Sequence, residues 1–308
     1  MSVHVRAMAL AIVALLMLSA CQPGAEPTPG QTPGDTPAAQ TPGGSPAQTP
    51  GGGGEDLLDR IREQGYIRIS TDPNYAPQSF INEEGEYDGF DVAVAREIAE
   101  RLGVEVRFET PEWDAITAGS WGDRWDVSVG SMTVTEERME VLDFTQPYYY
   151  TPAQLAVLED HPAQSIDELA GEVVCAGEAT TYVFWIEGTL NLGEGGVVDR
   201  EPPEGMTSTT LPTDAECAQA MRAGRTEFTV WMSSLTTVDE AISQGMPLRK
   251  IGEPVFYEPL AAAFDRGGPE HSELLAEIDR IIGEMHEDGT LSRLSEEWFD
   301  GVDYTTTQ

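Results

Sequence analysis

The chain has 308 residues, of which 54 are acidic and 17 are basic, so its formal net charge at pH 7 is -37. So acidic a surface argues against nucleic acid as a partner and resists aggregation, although it says nothing direct about a ligand. The roughly 250 residues that follow a low-complexity N-terminal stretch are enough for two modest lobes or one large domain.

Residues 1–20 have the layout of a secretory signal peptide. Arg6 precedes an apolar run, Met8 to Leu18, that is too short to span a bilayer, and small residues follow it. Leu-Ser-Ala-Cys at 18–21 resembles a bacterial lipobox, which predicts cleavage before Cys21 and lipid on that cysteine. We therefore expect an extracytoplasmic protein anchored to the cell membrane through Cys21. An ordinary secretory peptide with an incidental cysteine is the alternative.

Residues 21–54 are rich in Thr-Pro-Gly repeats and close in the glycine run 51–54. Such a composition cannot bury a hydrophobic core, and proline favours extended backbone while glycine loosens it. We expect a disordered, semi-flexible tether that holds a folded domain away from the membrane.

From residue 55 onward, predicted helices and strands alternate, which is typical of an α/β fold. The first helix, 56–64, ends at Gly65, and Asp91 is predicted to cap a second helix that Gly103 stops. Further helices are predicted near 114–118, from Thr135, over 182–187 and 214–223, and as a pair over 272–299. Strands are predicted at 66–70, 104–108, 127–129, 153–158, 173–175, 228–231 and 254–264.

Two cysteines remain besides Cys21. Cys175 ends an apolar strand, and Cys217 lies early in a predicted helix. An exported protein occupies a compartment that permits disulfides, so a bridge between the two is one interpretation and two buried free thiols are the other. The choice depends on whether their Cα atoms come within bonding range. Neither cysteine has the histidine and acidic neighbours of a catalytic nucleophile.

Six segments, in order, resemble the polar amino-acid-binding family of bacterial extracellular solute-binding proteins, and they cover nearly all of the folded region. They are the strand and loop 66–77, the segment 89–103 that opens with Gly-Phe-Asp, Trp113-Asp114, the segment 126–138 that contains Gly-Ser-Met-Thr-Val-Thr-Glu-Glu-Arg, the strand end 143–149 and the C-terminal segment 288–299.

The resemblance implies an α/β, two-lobed, periplasmic-binding-protein-like fold with two crossover segments, near 153–159 and 255–265. Residues 55–158 would form the first part of lobe 1, and 159–254 would form lobe 2. Residues 255–308 would cross back and complete lobe 1 with C-terminal helices. A cleft between lobes can surround a small zwitterion on all sides, so we expect the ligand there.

The carboxylate of an amino-acid-like ligand needs a donor that can make two parallel charge-assisted hydrogen bonds, which suits arginine better than lysine. Arg138 is the candidate, because the arginine at this point of the family's signature holds the ligand carboxylate. The sequence places it in the first turns of a helix after Thr135. The alternative is a surface arginine paired with Glu136, Glu137 or Glu140.

Both lobes are expected to add contacts to this carboxylate. Ser131 and Thr133 offer hydroxyls, and Gly130 lets the backbone approach the ligand closely; a plain strand-to-helix connection is the alternative. From the other lobe, Thr180 and Thr181 precede a helix whose free N–H groups could receive the outer face of the carboxylate. Ordinary capping by Thr180 is the other interpretation, and both can hold at once.

Aromatic and acidic side chains are candidates for the rest of the ligand. Tyr75 and Trp113 align with aromatics that the family places around the ligand, where a ring face can meet an ammonium. Asp72 offers a negative charge in the same loop as Tyr75.

The sequence departs from the family at one position of the expected site. Where the family usually has an aspartate for the ligand ammonium, this chain reads Met232-Ser233. Either Asp72, Ser233 or another acid, such as Glu178 or Glu258, takes over the ammonium, or the ligand is not a standard α-amino acid.

Taken with the resemblance, these residues predict a monomeric solute-binding lipoprotein that captures an amino acid or amino-acid-like zwitterion for the membrane permease of an ABC importer. Two alternatives share the fold: an exported dehydratase that acts on aromatic amino-acid precursors, and a sensory lipoprotein that reports ligand to a membrane partner. None of the four histidines falls in a ligand-loop motif, so no catalytic constellation argues for an enzyme. No cysteine, histidine or calcium-loop spacing indicates a metal, and we expect no cofactor.

Overall fold

The computed structural model describes residues 56–193 and 196–306. The predicted signal peptide, the predicted lipidation site Cys21 and the tether 21–54 lie outside the described residues. Within the described ranges, no helix is both long enough and apolar enough to cross a membrane.

Helices and strands alternate along the described chain, as the sequence predicts. The α-helices are α1 (Leu57–Gln64), α2 (Phe90–Leu102), α3 (Trp113–Thr117), α4 (Thr181–Ile186), α5 (Asp214–Arg222), α6 (Leu235–Ser243), α7 (Ser272–Glu287) and α8 (Thr290–Trp298). The strands are β1 (Tyr66–Ser70), β2 (Asn74–Tyr75), β3 (Ser79–Ile81), β4 (Tyr87–Asp88), β5 (Glu105–Glu109), β6 (Val127–Thr133), β7 (Leu142–Leu158), β8 (Val173–Gly177), β9 (Val197–Val198), β10 (Thr207–Leu211), β11 (Val230–Ser234), β12 (Leu248–Lys250) and β13 (Phe256–Asp265).

The main sheet runs in the order β10-β8-β11-β7-β13-β6-β1-β5, with β12 beside β7 and β9 beside β13. β1 pairs in parallel with β5 and β6, and β8 pairs in parallel with β10 and β11. β7 and β13 are antiparallel neighbours in the middle of this order. A separate three-stranded sheet contains β2, β3 and β4.

β7 and β13 connect the two halves of the main sheet. The start of β7 lies opposite the end of β13, with Leu142 facing Asp265, and β13 pairs there with β6. The end of β7 pairs instead with β11, with Val157 opposite Val230. Two strands therefore run between a first lobe, which holds β1, β5 and β6, and a second lobe, which holds β8, β10 and β11. This confirms the predicted two-lobed α/β architecture with two crossovers.

Each lobe has its own hydrophobic core. In the first lobe, α1, α2, α7 and α8 pack against β1 and β6, and Phe90, Ile98 and Ile281 are fully buried there. In the second lobe, β7 contributes to two clusters because successive side chains of a strand point to opposite faces. Leu155 packs in one cluster and Ala156 packs in the other.

The start of α2 differs from the prediction. The helix begins at Phe90 after Gly89, which has φ 116°, and Asp91 does not cap it. Instead Asp91 is fully buried, and its carboxylate accepts hydrogen bonds from the hydroxyls of Ser131 and Tyr148. A side chain committed to these two partners cannot also turn back to the N–H groups of its own helix.

The helix predicted from Thr135 is also wrong. Only a 3₁₀ turn forms, at Arg138–Glu140, and β7 starts two residues later. The Thr135 hydroxyl accepts a hydrogen bond from the Arg138 N–H at 3.1 Å, which closes a local turn in place of a continuing helix.

Cys175 on β8 and Cys217 on α5 are joined by a disulfide in the structure, with their Cα atoms 5.7 Å apart. Both side chains are fully buried in a second-lobe cluster that also contains Trp231. The bridge ties α5 to the sheet that this helix covers.

Candidate ligand-binding site

A pocket with an empty volume of about 490 Å³, open solvent included, has walls from both lobes. All nine residues that the sequence analysis proposed for ligand contact line it: Asp72, Tyr75, Trp113, Gly130, Ser131, Thr133, Arg138, Thr180 and Thr181. The pocket wall also contains six residues that were not proposed as contacts: Gly177, Tyr182, Pro212, Thr213, Asp214 and Glu258. Glu258 had been considered only as one possible partner for an ammonium.

Arg138 is buried in this wall, with 4% of its surface exposed, so it is not the surface arginine of the alternative interpretation. Its Nη1 donates to the carbonyl of Thr133 at 3.0 Å, and its Nη2 donates to the carbonyl of Ala179 at 3.0 Å. Its Nε has no hydrogen-bond partner among the described residues. Burial lowers the pKa of Arg138 to about 10, although the charge of Glu258 opposes this shift.

Ser131 lies at the end of β6 in a left-handed conformation with φ 56°. Its N–H donates to the Tyr148 hydroxyl at 2.9 Å, and its own hydroxyl donates to Asp91 at 2.6 Å. The Ser131 hydroxyl is therefore engaged by the protein itself. Burial raises the pKa of Asp91 to about 7, against the hydrogen bonds from Ser131 and Tyr148.

Glu258, on β13, joins the two lobes at the pocket. The hydroxyls of Thr133 and Thr181 each donate to its Oε2 at 2.5 Å, so these predicted ligand donors donate to a protein carboxylate instead. Glu258 is 2% exposed, and its Oε1 has no hydrogen-bond partner among the described residues. Burial raises the pKa of Glu258, and the hydroxyls around it and the charge of Arg138 oppose the shift.

The start of α4 lies where the sequence predicts it, but the Thr180 side chain does not cap the helix. The helix begins at Thr181, and the Thr180 hydroxyl donates back to the carbonyl of Gly177 at 2.8 Å instead of accepting from the helix. Capping by Thr180, the alternative for this residue, is therefore absent from the described structure.

Aromatic side chains bridge the two lobes across the pocket. The hydroxyls of Tyr75 and Tyr182 lie 3.2 Å apart. The Trp113 indole N–H donates to the carbonyl of Ala179 at 3.3 Å, and the Arg138 guanidinium carbon lies 5.5 Å from the Trp113 ring centroid. The Tyr75–Tyr182 and Trp113–Ala179 contacts each span from one lobe to the other, as they would in a closed cleft.

Asp214, at the start of α5, is the acid that the sequence analysis did not propose. Its Oδ1 accepts from the Gly177 N–H at 2.5 Å, and its Oδ2 accepts from the Ser233 hydroxyl at 3.0 Å. A Cβ atom on Gly177 would come within 2.8 Å of Asp214 Oδ1, so this approach requires glycine. Burial raises the pKa of Asp214 to about 7, against both of these hydrogen bonds.

The other ammonium candidates lie in different surroundings. Asp72 accepts a hydrogen bond from the Asn74 N–H at 2.8 Å, and burial raises its pKa. Ser233 is not on the pocket wall but holds Asp214, and Met232 packs in the second-lobe core. Glu178 is not among the residues that line the pocket. The sequence gives no sign of Asp214 as a site residue beyond its place at the start of a predicted helix.

Across the described residues, no group of three or more histidine, cysteine, aspartate or glutamate side chains is placed to hold a metal ion.

Known proteins with similar sequences and structures place this geometry in context. A family model described as bacterial extracellular solute-binding proteins, family 3, matches residues 67–301. The L-cystine-binding protein of Escherichia coli (strain K12) is 29% identical over 253 residues, which cover 82% of this chain and 88% of that protein. The histidine-binding periplasmic protein of the same strain is 26% identical over 253 residues, covering 76% of this chain and 87% of that protein.

A solved structure of an ancestral amino acid-binding protein, a precursor of cyclohexadienyl dehydratase, has a TM-score of 0.67 and 27% identity. The match covers 79% of this chain and 100% of that chain. Because the family model spans more than two thirds of the sequence and the two-lobed fold agrees with it, the chain belongs to family 3 of the bacterial extracellular solute-binding proteins.

Proposed function

We propose that this protein captures an amino acid or amino-acid-like zwitterion between its two lobes and delivers it to the membrane permease of an ABC importer. The observation that carries the proposal is Arg138, a buried guanidinium on the wall of an interlobe pocket, whose described partners are backbone carbonyls rather than a carboxylate. A buried cation of this kind lacks a counter-ion of the geometry that it binds best. A ligand carboxylate would supply it.

The nine wall residues divide the work of binding in this proposal. Arg138 binds the ligand carboxylate. The backbone at Gly130 and the backbone at the start of α4, next to Thr180 and Thr181, lie close to that carboxylate.

Tyr75 and Trp113 enclose the ligand. Ser131 and Thr133 shape the wall through their hydrogen bonds to Asp91 and Glu258. The ligand ammonium goes to the acidic part of the wall, which includes Asp72.

In this proposal the cleft closes around the ligand, and the closed form is recognised by hydrogen bonds between the two lobes. Trp113 and Arg138 of the first lobe both donate to Ala179 of the second lobe. A ligand that bridges the same two surfaces favours this form, and the shift is limited by its preference for the closed state. We place the lobes at residues 55–158, 159–254 and 255–308, with 255–308 returning to the first lobe.

The proposal includes the location of the protein outside the cell membrane. Residues 1–20 would be removed, Cys21 would carry lipid, and 21–54 would tether the binding domain outside the cell membrane, where a monomer meets the importer. The relatives named above are binding proteins, and no histidine is among the described residues that line the pocket. Binding without chemistry is therefore favoured over the dehydratase alternative, while a sensory lipoprotein would show the same binding with a different membrane partner.

The test measures thermal unfolding of the purified protein, freed of carried-over ligand by unfolding and refolding, against the common amino acids. Ligand at a hundredfold its dissociation constant should stabilise the protein by about 2.7 kcal/mol. Arg138→Ala should abolish this rise. Arg249→Ala is the matched control, because the Arg249 guanidinium also donates to two backbone carbonyls, those of His161 and Ala163, but lies outside the pocket wall.

A rise in the unfolding temperature that survives Arg249→Ala and disappears in Arg138→Ala supports the proposal. The absence of a rise with every amino acid would refute an amino-acid ligand, and a rise unchanged in Arg138→Ala would refute the role of that arginine.

A further inference from the structure

The charges on the pocket wall do not balance. Three carboxylates, those of Asp72, Asp214 and Glu258, face one guanidinium, that of Arg138. A zwitterion with one ammonium and one carboxylate adds no net charge and leaves this excess in place. Desolvated charges of one sign repel strongly in a closed cleft, so the excess must be neutralised by bound protons or by a cation.

Glu258 provides an independent indication that a donor is missing. It is almost fully buried on the wall, yet its Oε1 has no hydrogen-bond partner within the described ranges. An unpaired carboxylate oxygen in such a place is costly unless a ligand donor meets it. The Thr133 and Thr181 hydroxyls both donate their hydrogen bonds to Glu258. Toward any other neighbour these hydroxyls can therefore act only as acceptors.

Asp214 is held as a fixed acceptor on the second-lobe side. The Gly177 N–H and the Ser233 hydroxyl position both of its oxygens, and none of its described hydrogen-bond partners is cationic. By the resemblance, Met232-Ser233 stands where the family usually has the acid for the ligand ammonium. The serine therefore orients a carboxylate that comes from another element, α5, rather than replacing it.

Resting on the amino-acid-binding function above, we infer that the ligand carries a second cationic group besides its ammonium, as a basic amino acid does. Asp214 is then a specificity-determining residue for a cationic group of that ligand. One ligand carboxylate pairs with Arg138, and two cationic groups meet the three acids. Burial raises the pKa of all three acids, which agrees with this assignment, because none of the three carboxylates has a hydrogen-bonded cationic partner among the described side chains.

The test compares ligands of matched shape and different charge by isothermal titration of the purified, ligand-stripped protein. L-arginine is compared with L-citrulline, and L-lysine with L-norleucine. The cationic member of each pair should bind at least about tenfold more tightly, since close charge pairs in binding sites contribute more than the free energy of one decade in affinity.

Variants separate Asp214 from the pocket as a whole. Asp214→Asn keeps the shape and both hydrogen-bonding positions, so it should reduce the preference for L-arginine over L-citrulline by about tenfold. Asp265→Asn is the matched control, because Asp265 is also 6% exposed and accepts backbone N–H groups but lies outside the pocket wall. It should leave the preference unchanged.

Three outcomes would overturn the inference in distinguishable ways. If L-citrulline and L-norleucine bound as tightly as L-arginine and L-lysine or more tightly, the ligand would not need a second cationic group, and the proposed amino-acid binding would still hold. If Asp214→Asn kept the full preference for L-arginine over L-citrulline, Asp214 would not be a specificity-determining residue. Failure of all four ligands to bind would remove the basic ligand, and only failure of every common amino acid would refute the proposed function itself.

Discussion

Asp91 shows how a residue outside the pocket wall shapes it. Its carboxylate is fully buried and accepts hydrogen bonds from Ser131, which lines the pocket, and from Tyr148. Ser131 has the left-handed conformation that only a few non-glycine residues adopt. The bonds from Ser131 to Asp91 and Tyr148 hold that conformation in place, so Asp91 positions the wall without touching the ligand.

The buried carboxyl of Asp91 should make the protein less stable as the pH rises. Its pKa is raised to about 7 in the folded protein, so between about pH 4 and 7 the unfolded chain has lost a proton that the folded protein keeps. The free energy of unfolding therefore falls with rising pH across this window. Asp91→Asn should remove part of this fall, since an amide can bond to the same two hydroxyls without ionising.

Urea unfolding at pH 5 and pH 8 would measure the effect. The fall in the free energy of unfolding between the two pH values should be smaller in Asp91→Asn than in the natural protein, by about 1 kcal/mol or more. Glu83→Gln, which removes an acid from an exposed turn, controls for net charge. An identical fall in all three proteins would show that Asp91 does not titrate as its burial implies.

Single residues differ in how far the sequence could predict them. Arg138, Ser131 and Thr133 lie within one continuous segment whose order resembles the family's signature, and all three reach the pocket wall. Asp214 gave no such indication, because its place in the site depends on Gly177 and Ser233, which are 37 and 19 residues away in sequence. A contact between distant segments leaves no pattern in the sequence around either partner.

The elements that the sequence predicted best are those with strong hydrophobic periodicity. α2 and α7 bury one face each, and the main strands of the sheet were found. β10 was not predicted, because its Thr-Ser-Thr-Thr-Leu sequence at the sheet edge shows no apolar alternation. α6 was also missed, since it follows β11 without any connecting residue and begins with Leu-Thr-Thr-Val.

The start of α6 forms a second contact between the lobes, outside the pocket wall. The Gln78 side chain, from the loop before β3, is fully buried against it. Its Nε2 donates to Thr236 at 2.6 Å and to Ser234 at 3.1 Å, and its Oε1 accepts from Thr237 at 3.2 Å. We call these four side chains the Gln78 clamp.

Loss of the Gln78 clamp should weaken ligand binding although no clamp residue lines the pocket. Gln78→Ala removes three buried hydrogen bonds from the closed form and leaves the hydroxyls of Ser234, Thr236 and Thr237 bonded only among themselves and to backbone, at a total cost of about 1–3 kcal/mol. Since the ligand must then supply this free energy to close the cleft, affinity should fall by about tenfold or more. Titration calorimetry measures the affinity, and X-ray scattering measures the change in radius of gyration on ligand addition.

Gln244→Ala is the control for this experiment, because Gln244 is exposed at the other end of α6 and bonds only to Glu240 among the described side chains. It should change neither affinity nor closure. Unaltered affinity in Gln78→Ala would mean that the ligand alone determines the closed state, and the clamp would then be a passive contact.

The whole molecule carries a formal charge of -37, and this excess bears on its stability. The 54 acidic residues outnumber the 17 basic ones about threefold, so most acids have no cationic partner to offset their mutual repulsion. Folding brings these charges closer together. Exposed ion pairs such as Arg280 with Glu277 oppose the repulsion, but each contributes at most about 1 kcal/mol.

Salt should therefore stabilise this protein rather than weaken it. The screening length falls from about 30 Å at 0.01 M salt to about 3 Å at 1 M, which suppresses the many long-range repulsions more than the few short-range attractions. We expect the unfolding temperature of the ligand-free protein to rise steeply up to about 0.5 M sodium chloride and to level off beyond it. Sucrose, which favours compact states without screening charge, separates screening from general solvent exclusion, because it should give a gradual rise with no plateau. A flat or falling unfolding temperature over the first part of the salt range would show that the ion pairs outweigh the repulsion among the excess acidic residues.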